Sequence, residues 1–450
     1  MLNFYDFEVF KNDWLVVIIN PIDQKITKII NDNESFKNYY DGHKNEIWIG
    51  YNSRVYDSTI AKAVLLDMDV KHVSDCIIDN RLMPWEIDSR FNRIKLYDYD
   101  CIQPLRSLKE LEGFRGNSIY ESKIDFNLER KLTDDEINET LKYCQNDVEE
   151  LINVFELTRS DFDAQLAMIK TFNLPMSYIS KTKAQLTAEI IGCRPKEHFD
   201  EFNISIVDTL ILNKYDDVRR WFLNPENHNY KKSLTVNVAG VPHVFGWGGL
   251  HGAIKGAVHR KGLIIHVDVT SYYPSLMIEY GLLTRNCEHP ERFREIYDKR
   301  VELKKAGKKK EQAPYKITLN STYGISKAKQ SKKSYDPLMA NNVCINGQLL
   351  LLDLIEKLEG HCELIQSNTD GLIIQIADTD EAFNAIDDIC YEWETRTRMK
   401  LGFDVITEIW QGDVNNYVVS FDYQKDVNIL KSRLKEVYPN IKQNGYELIF

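Results

Sequence analysis

The stretch CELIQSNTDGLIIQIADTDEAF (residues 362–383) contains two acidic signatures built around a threonine. Choosing between them decides how the second half of the chain folds. Asn368-Thr369-Asp370 lies between two apolar runs, with a glycine beside it. An apolar strand, a polar turn and a second apolar strand predict a β-hairpin with Asp370 at its tip. Asp378-Thr379-Asp380 precedes EAFNAIDDICYEW, a helical pattern. Acids and hydroxyls favour the first turn of a helix, where they accept from free backbone N–H groups and meet the positive end of the dipole. The second signature therefore reads as a helix cap and the first as a carboxylate held at the end of a sheet.

Working outward, HVDVTSYYPSLM (266–277) ends the apolar run GLIIHVDV (262–269) on Asp268, and Pro274 opens the next helix or turn. An acid at a strand's C-terminal end projects beyond the sheet, a suitable place for a metal ligand. In KITLNSTYG (316–324), Lys316, Asn320 and Tyr323 stand at i, i+4 and i+7, which is one helical stripe. A cation, an amide and an aromatic ring on one face suit a nucleotide. Arg300 and Lys304 are a second i,i+4 pair, placed to bind phosphate. The two helices of residues 290–325 are joined by AGKKK, and further helices are predicted near 338–358 and 380–399, with strands near 403–410 and 414–421. A Gly-rich loop, FGWGGLHGA (245–253), precedes the Asp268 strand.

The first 160 residues predict an α/β unit. WLVVIIN and EIWIGYN read as strands, and the later helix opens on a capping box, Thr133 with Glu136 three residues on. YDFE puts Asp6 and Glu8 on one face of a strand, because side chains alternate with period two. That pair alone says little: Asp32/Glu34, Asp134/Glu136 and Asp147/Glu149 share its spacing. The signal lies in the order of two segments further along the chain. YNSRVYD supplies Asn52, Tyr56 and Asp57, and YCQND supplies Tyr143 and Asp147, one helical turn apart. Two-metal phosphoryl chemistry needs carboxylates that converge from separate elements, since the ions sit about 3.5–4 Å apart.

The chain has 450 residues, enough for two or three domains, and 43% hydrophobic with 28% charged residues describes a folded protein. There is no apolar run of bilayer length, no signal-peptide pattern, no repeat and no low-complexity linker. The eight cysteines are scattered without a CxxC pair, which predicts reduced thiols in a cytoplasmic protein. Net charge is −11, but between Lys299 and Lys333 the only acids are Glu302 and Glu311. An isolated run of this kind reads as a solvated helix face; beside the phosphate-binding pairs it reads as a nucleic-acid surface.

The ordered trio at Asp6/Glu8, Asn52/Asp57 and Tyr143/Asp147 resembles the motifs of the DEDD 3′–5′ exonucleases of the Tyr-containing subclass. The second set resembles the family B DNA polymerases. Their motif A, DxxSLYPS, is matched by Asp268, Ser271, Tyr273, Pro274 and Ser275, with Tyr272 in place of Leu. Their motif B, KxxxNSxYG, is matched by Lys316, Asn320, Ser321, Tyr323 and Gly324 without exception. Their motif C, YxDTDS, has its better letter match at 377–380 and its better context at the 362–376 hairpin, where Asn368 replaces the first Asp. Phe245, Gly248 and Gly249 resemble the template-contacting YxGG loop, with Phe displacing Tyr. Tyr417 in DVNNY (413–417) resembles the KxY motif, with Asn in place of Lys.

The resemblance runs from residue 1 to about 420 and implies an α/β and α+β multidomain protein. An RNase H-like exonuclease domain (1–160) would lead through a connecting region (161–262) to a palm with an antiparallel sheet and helices (263–289 and 348–422). Two fingers helices (290–347) would interrupt the palm, and the start of a thumb, truncated or supplied by another polypeptide, would fill 423–450. The implied metal ligands are Asp268, Val269 and Asp370 at one site and Asp6, Glu8, Asp57 and Asp147 at the other, each holding two Mg²⁺, with Mn²⁺ as an alternative. Arg300, Lys304, Lys316, Asn320, Ser271, Tyr273 and Tyr323 would bind a dNTP, Tyr273 as the steric gate. Phe245, Gly248, Gly249, Tyr417 and Asn52 would touch DNA. Primer-template DNA, dNTPs and a thumb or processivity partner are the expected partners, with no membrane. The Lys-, Asn- and Ile-rich composition suggests a phage or mobile-element enzyme working in a host cytoplasm. Two other readings stand beside this one: an active exonuclease whose polymerase half only binds DNA, and a nucleic-acid-binding protein without catalysis.

Overall fold

The computed structural model describes residues 1–420 except 104, 105, 117, 118, 120 and 123. The expected thumb segment 423–450 lies outside the described residues. The chain divides into two compact units, Met1–Leu186 and Thr187 onward. Both are mixed α/β: among the described residues there are fourteen α-helices and two sheets.

In the first unit, five strands, β1 (Leu2–Val9), β2 (Trp14–Asn20), β3 (Lys25–Ile30), β4 (Ile47–Gly50) and β5 (Tyr97–Asp100), make one sheet in the order β3-β2-β1-β4-β5. β1 is antiparallel to β2 and parallel to β4. Every residue of β2 is buried, which explains why WLVVIIN is continuously apolar instead of alternating. β1 does divide its faces. Tyr5, Phe7 and Val9 enter the core of Trp14, Phe36 and Trp48. Phe4 packs on Phe155 of the helix Asp134–Leu157 at 5.1 Å, and Asp6 and Glu8 share that face. The capping box of that helix forms as predicted, Thr133 accepting from the Glu136 N–H and Glu136 from the Thr133 N–H.

This unit continues past residue 160, where the sequence pattern ends it. The helix Arg159–Thr171 packs Phe162 on Tyr99 and Phe155 at 4.9 and 5.1 Å. Its Gln165 donates to the carbonyls of Ile179 and Lys181, both at 2.7 Å, tying the chain back.

The second unit is built on eight strands: β6 (Ser233–Val238), β7 (Val241–Gly246), β8 (His251–Ala253), β9 (Val258–Val269), β10 (Glu363–Asn368), β11 (Gly371–Ile376), β12 (Leu401–Asp413) and β13 (Asn416–Ser420). They lie in the order β13-β12-β9-β11-β10-β8-β7-β6, each antiparallel to its neighbours. The hairpin of 362–376 is thus β10 and β11, and it pairs with the Asp268 strand. The helix Asp380–Thr397 starts on Thr379, whose hydroxyl accepts from the Ala382 N–H at 3.2 Å, so Asp378-Thr379-Asp380 is a cap.

The helix Pro337–Leu358 is long and apolar enough by composition to cross a membrane, an apolar length that a reading by runs of uninterrupted apolar residues does not count. Its most apolar window is 94% buried within the protein. The helix Asp380–Thr397 packs on it, with the Trp393 indole donating to the Leu350 carbonyl at 2.9 Å and Arg396 paired to the fully buried Asp353 at 2.8 Å.

Gly252 of β8 has no room for a side chain. A Cβ there would sit 2.3 Å from the fully buried His243 ring. Gly252→Ala is expected to destabilise the second unit by about 3 kcal/mol, the cost of overpacking a rigid core, seen as a lower thermal midpoint by circular dichroism.

Two candidate active sites

The first site is assembled by β1 and two helix segments. Asp57 opens the helix Asp57–Leu65 and accepts from the Phe7 N–H of β1 at 3.1 Å. Tyr143 and Asp147 lie one turn apart on Asp134–Leu157 and are hydrogen-bonded to each other. Asp6, Glu8, Asp57 and Asp147 form one group of interacting charges. Burial and the neighbouring carboxylates push Asp6 well up, Glu8 up to about 8 and Asp57 up to about 7. Burial raises Asp147 also, against the opposing pull of the Lys109 ammonium. Asn52 stands exposed at φ +58°, in the turn before Asp57.

Three further residues belong here that the motifs did not single out. Lys109 binds Asp147, lies 3.5 Å from Glu112 and covers the Tyr143 ring at 4.7 Å. Cys144 donates to the Asp6 carbonyl at 3.3 Å, and the ligand atoms of Asp6, Glu8 and Cys144 lie within 4.8 Å of one another. Asp98, behind Asp57, accepts from Tyr5 and Ser53, both at 2.9 Å, and burial pushes it up to about 6. Several buried acids with raised pKa are a donor set that fits divalent cations, and the Lys109 ammonium offsets part of their charge at Asp147.

These raised carboxyls make stability depend on pH. Carboxylates whose folded pKa lies above the unfolded value of about 4 bind more protons when folded. Their contribution to stability is complete below about pH 4 and is lost as pH rises through about 7 to 8, where Asp57 and Glu8 ionise. In EDTA, the melting temperature of the first unit is expected to fall between pH 5 and pH 9. Millimolar Mg²⁺ or Mn²⁺ should reverse most of that fall at pH 9, measured by scanning calorimetry.

The second site lies where β9 meets β11. Asp268 pairs with Gly371, and the Val269 N–H donates to the Asp370 carbonyl at 2.8 Å, so the two acids stand side by side. Burial and the Asp370 charge push Asp268 up to about 6; burial raises Asp370 too. His266 and Lys304 offset part of the repulsion at Asp268. Gly371 leaves space for this crowding: a Cβ would meet the His266 ring at 2.9 Å and the Val267 carbonyl at 3.0 Å. His266 also faces Asp404 of β12 at 3.6 Å. Both are missed by motif reading, although the HVD spacing puts His266 and Asp268 on one strand face. Two non-glycine residues flanking the acids, Ser271 and Thr369, hold left-handed backbones at φ +53°.

The helix Pro290–Lys305 brings Lys304 toward Asp268, and the helix Lys309–Lys327 packs beside it. The half-buried Arg300 donates to the Ser271 hydroxyl, while its Nε is buried without a partner. Lys316 and Asn320 are exposed, and Tyr323 packs on Tyr273 at 4.6 Å. Tyr272, where the family pattern has Leu, is buried and donates to the Gly347 carbonyl at 2.6 Å. Gly249 lies against the hairpin tip, where a Cβ would be 2.7 Å from the Thr369 hydroxyl. Tyr417 is 40% exposed on the edge strand β13.

Phe245, expected to touch DNA, lies on β7. Its side chain is fully buried at 0% exposure, because β7 turns it inward as its neighbours Val244 and Gly246 turn outward. It is a core residue. Asn368 turns its amide toward Asn415 at 3.3 Å and the Val414 carbonyl at 3.5 Å, and its oxygen accepts from the Thr369 hydroxyl at 3.2 Å.

No protein-family model matches the sequence, and no curated protein matches it. Among solved structures, the family B DNA polymerase from the hyperthermophilic archaeon Pyrobaculum calidifontis is similar at 13% identity with a TM-score of 0.44. The match covers 94% of this chain and 59% of that one. The present chain thus spans less than two thirds of the archaeal polymerase's length.

Proposed function

We propose that the chain is a DNA-dependent DNA polymerase with a 3′–5′ exonuclease, extending a primer 3′-OH with dNTPs. The observation that carries this is the convergence of Asp268, at the end of β9, and Asp370, in the turn between β10 and β11, opposite the cations Arg300 and Lys304. In support stand the uninterrupted motif B and the second, separate acid cluster of Asp6, Glu8, Asp57 and Asp147. In this reading residues 1–160 are the RNase H-like exonuclease domain, 263–289 and 348–422 the palm, and 290–347 the fingers.

Two divalent ions per site, Mg²⁺ or Mn²⁺, would supply the charge that makes the attacking oxygen a nucleophile and stabilises the leaving group. Asp268 and Asp370, with the Val269 backbone, would hold the polymerase pair. Arg300, Lys304 and Lys316 would meet a triphosphate, with Asn320 beside them. The Tyr273 ring would close off the space for a ribose 2′-hydroxyl. At the other site Tyr143, bonded to Asp147, would orient the attacking water.

A labelled primer-template incubated with Mg²⁺ or Mn²⁺ tests both halves: products longer than the primer with dNTPs, shorter without them. A second reading, exonuclease activity beside a polymerase half that only binds DNA, is favoured by Asn368, an amide where a second charge is usual. Shortening without any extension would establish that reading and remove the first. Asn368→Asp is expected to lower the metal concentration for half-maximal extension by several-fold, since it restores a negative charge beside Asp370. Titrating Mg²⁺ and Mn²⁺ in extension assays would measure it.

A further inference from the structure

Lys327 ends the helix Lys309–Lys327 and makes two contacts at once. Its ammonium donates to the Trp247 main-chain carbonyl at 2.5 Å and to the Tyr323 hydroxyl at 3.3 Å. The Tyr323 ring then packs on Tyr273 at 4.6 Å, the planes inclined by 55°.

What Lys327 grips on the other side is itself fixed. The Trp247 indole is 5% exposed and sits among Phe202, Tyr230 and Phe222 at 4.9, 5.8 and 6.0 Å. Gln348 of the helix Pro337–Leu358 donates to the carbonyls of Gly246 and Gly248 at 2.7 and 2.8 Å. The Cys344 thiol donates to the Gly248 carbonyl as well. The Gly-rich loop is therefore a rigid abutment, and Lys327 is braced between it and the tyrosine pair. Satisfying the loop carbonyl alone would need one donor. An ammonium has three, and here a second is spent on the tyrosine beside Tyr273.

We propose that Lys327 is a positioning residue for sugar selection: by fixing Tyr323 against the Gly-rich loop, it holds Tyr273 where a ribose 2′-hydroxyl finds no room. The proposal rests on the polymerase reading above. Lys327 would touch neither the nucleotide nor the metals.

The test measures binding without chemistry. A primer ended by a dideoxynucleotide on a nuclease-resistant phosphorothioate linkage is annealed to a template presenting dT. Dissociation constants for dATP and ATP are then measured in Mg²⁺ for wild type, Lys327→Met, Lys327→Arg and Tyr323→Phe. The preference for dATP is expected to fall about tenfold in Lys327→Met, equivalent to about 1.4 kcal/mol. Tyr323→Phe, which removes the hydroxyl that Lys327 binds and that also meets the Cys344 thiol, should move the same way by less, and Lys327→Arg should keep most of the preference. Unchanged preference in a folded Lys327→Met, with only a lower melting temperature, would make the contact merely structural and overturn the proposal. If Lys327→Met does not fold, unchanged preference in Tyr323→Phe overturns it equally. Wild type that binds neither nucleotide would overturn the polymerase reading and this proposal with it. A discriminating wild type with unaltered variants would overturn this proposal alone.

Discussion

Asp268→Ala is expected to abolish primer extension, by at least about a thousandfold, while primer shortening without dNTPs continues at the wild-type rate. Asp268 has the residue environment for this. It stands at the end of β9, pushed up to about 6 by burial and by the adjacent Asp370 charge. Two acids held together against their own repulsion are at a disadvantage until a cation joins them, so removing one costs the site most of its affinity for metal. The loss should appear in the turnover rate at saturating dNTP, since Arg300 and Lys316, which would bind the triphosphate, remain. The variant should also fold, because removing one of two mutually repelling carboxylates relieves the sheet end instead of burdening it. Retained extension in Asp268→Ala, assayed on a gel beside wild type, would refute the assignment of the site.

The mirror experiment removes the other cluster. Asp6→Ala with Glu8→Ala is expected to reduce primer shortening by at least about a thousandfold and leave extension intact. It has a second, opposite effect that a passive surface pair would not produce. Removing two of the mutually repelling buried carboxylates should raise the melting temperature of metal-free protein at pH 9 relative to wild type, where Glu8 and Asp57 would otherwise be ionised. Lost shortening together with raised alkaline stability separates an active-site role from damage to the fold. Unchanged shortening would show that the acids gather there without catalysing.

Much of the fold was legible in the sequence because it depended on local pattern. The hairpin of β10 and β11 was readable from two apolar runs around a Gly-bearing turn. The cap at Thr379 was readable from the helical period just beyond it, even though its letters match the family motif better. The helix of Tyr143 and Asp147 declared its start through Thr133 and Glu136. Lys109, Asp98, Cys144 and Asp404 were not legible, since each reaches its site through tertiary packing and carries no spacing that marks it. The burial of Phe245 was not legible for a related reason. A strand's alternation does not say which of its two faces meets the core, and β7 puts Phe245 on the buried one. The end of the first unit was blurred because Phe162 and Gln165 bind it through contacts that composition does not reveal.

Ser271 and Thr369 hold left-handed backbones beside the two acids, and this bears on how the protein can be improved. Such a conformation costs of order 1–3 kcal/mol outside glycine, most for a β-branched residue. A redesign that maximises thermal robustness would therefore replace both, with Gly or Asn as the natural choices. At Ser271 that would discard the hydroxyl that Arg300 grips, and at Thr369 the hydroxyl that meets Asn368. On the proposed polymerase reading, selection for hardiness and selection for turnover would pull these two codons in opposite directions, which would make them the positions to hold constant in a library built for heat resistance.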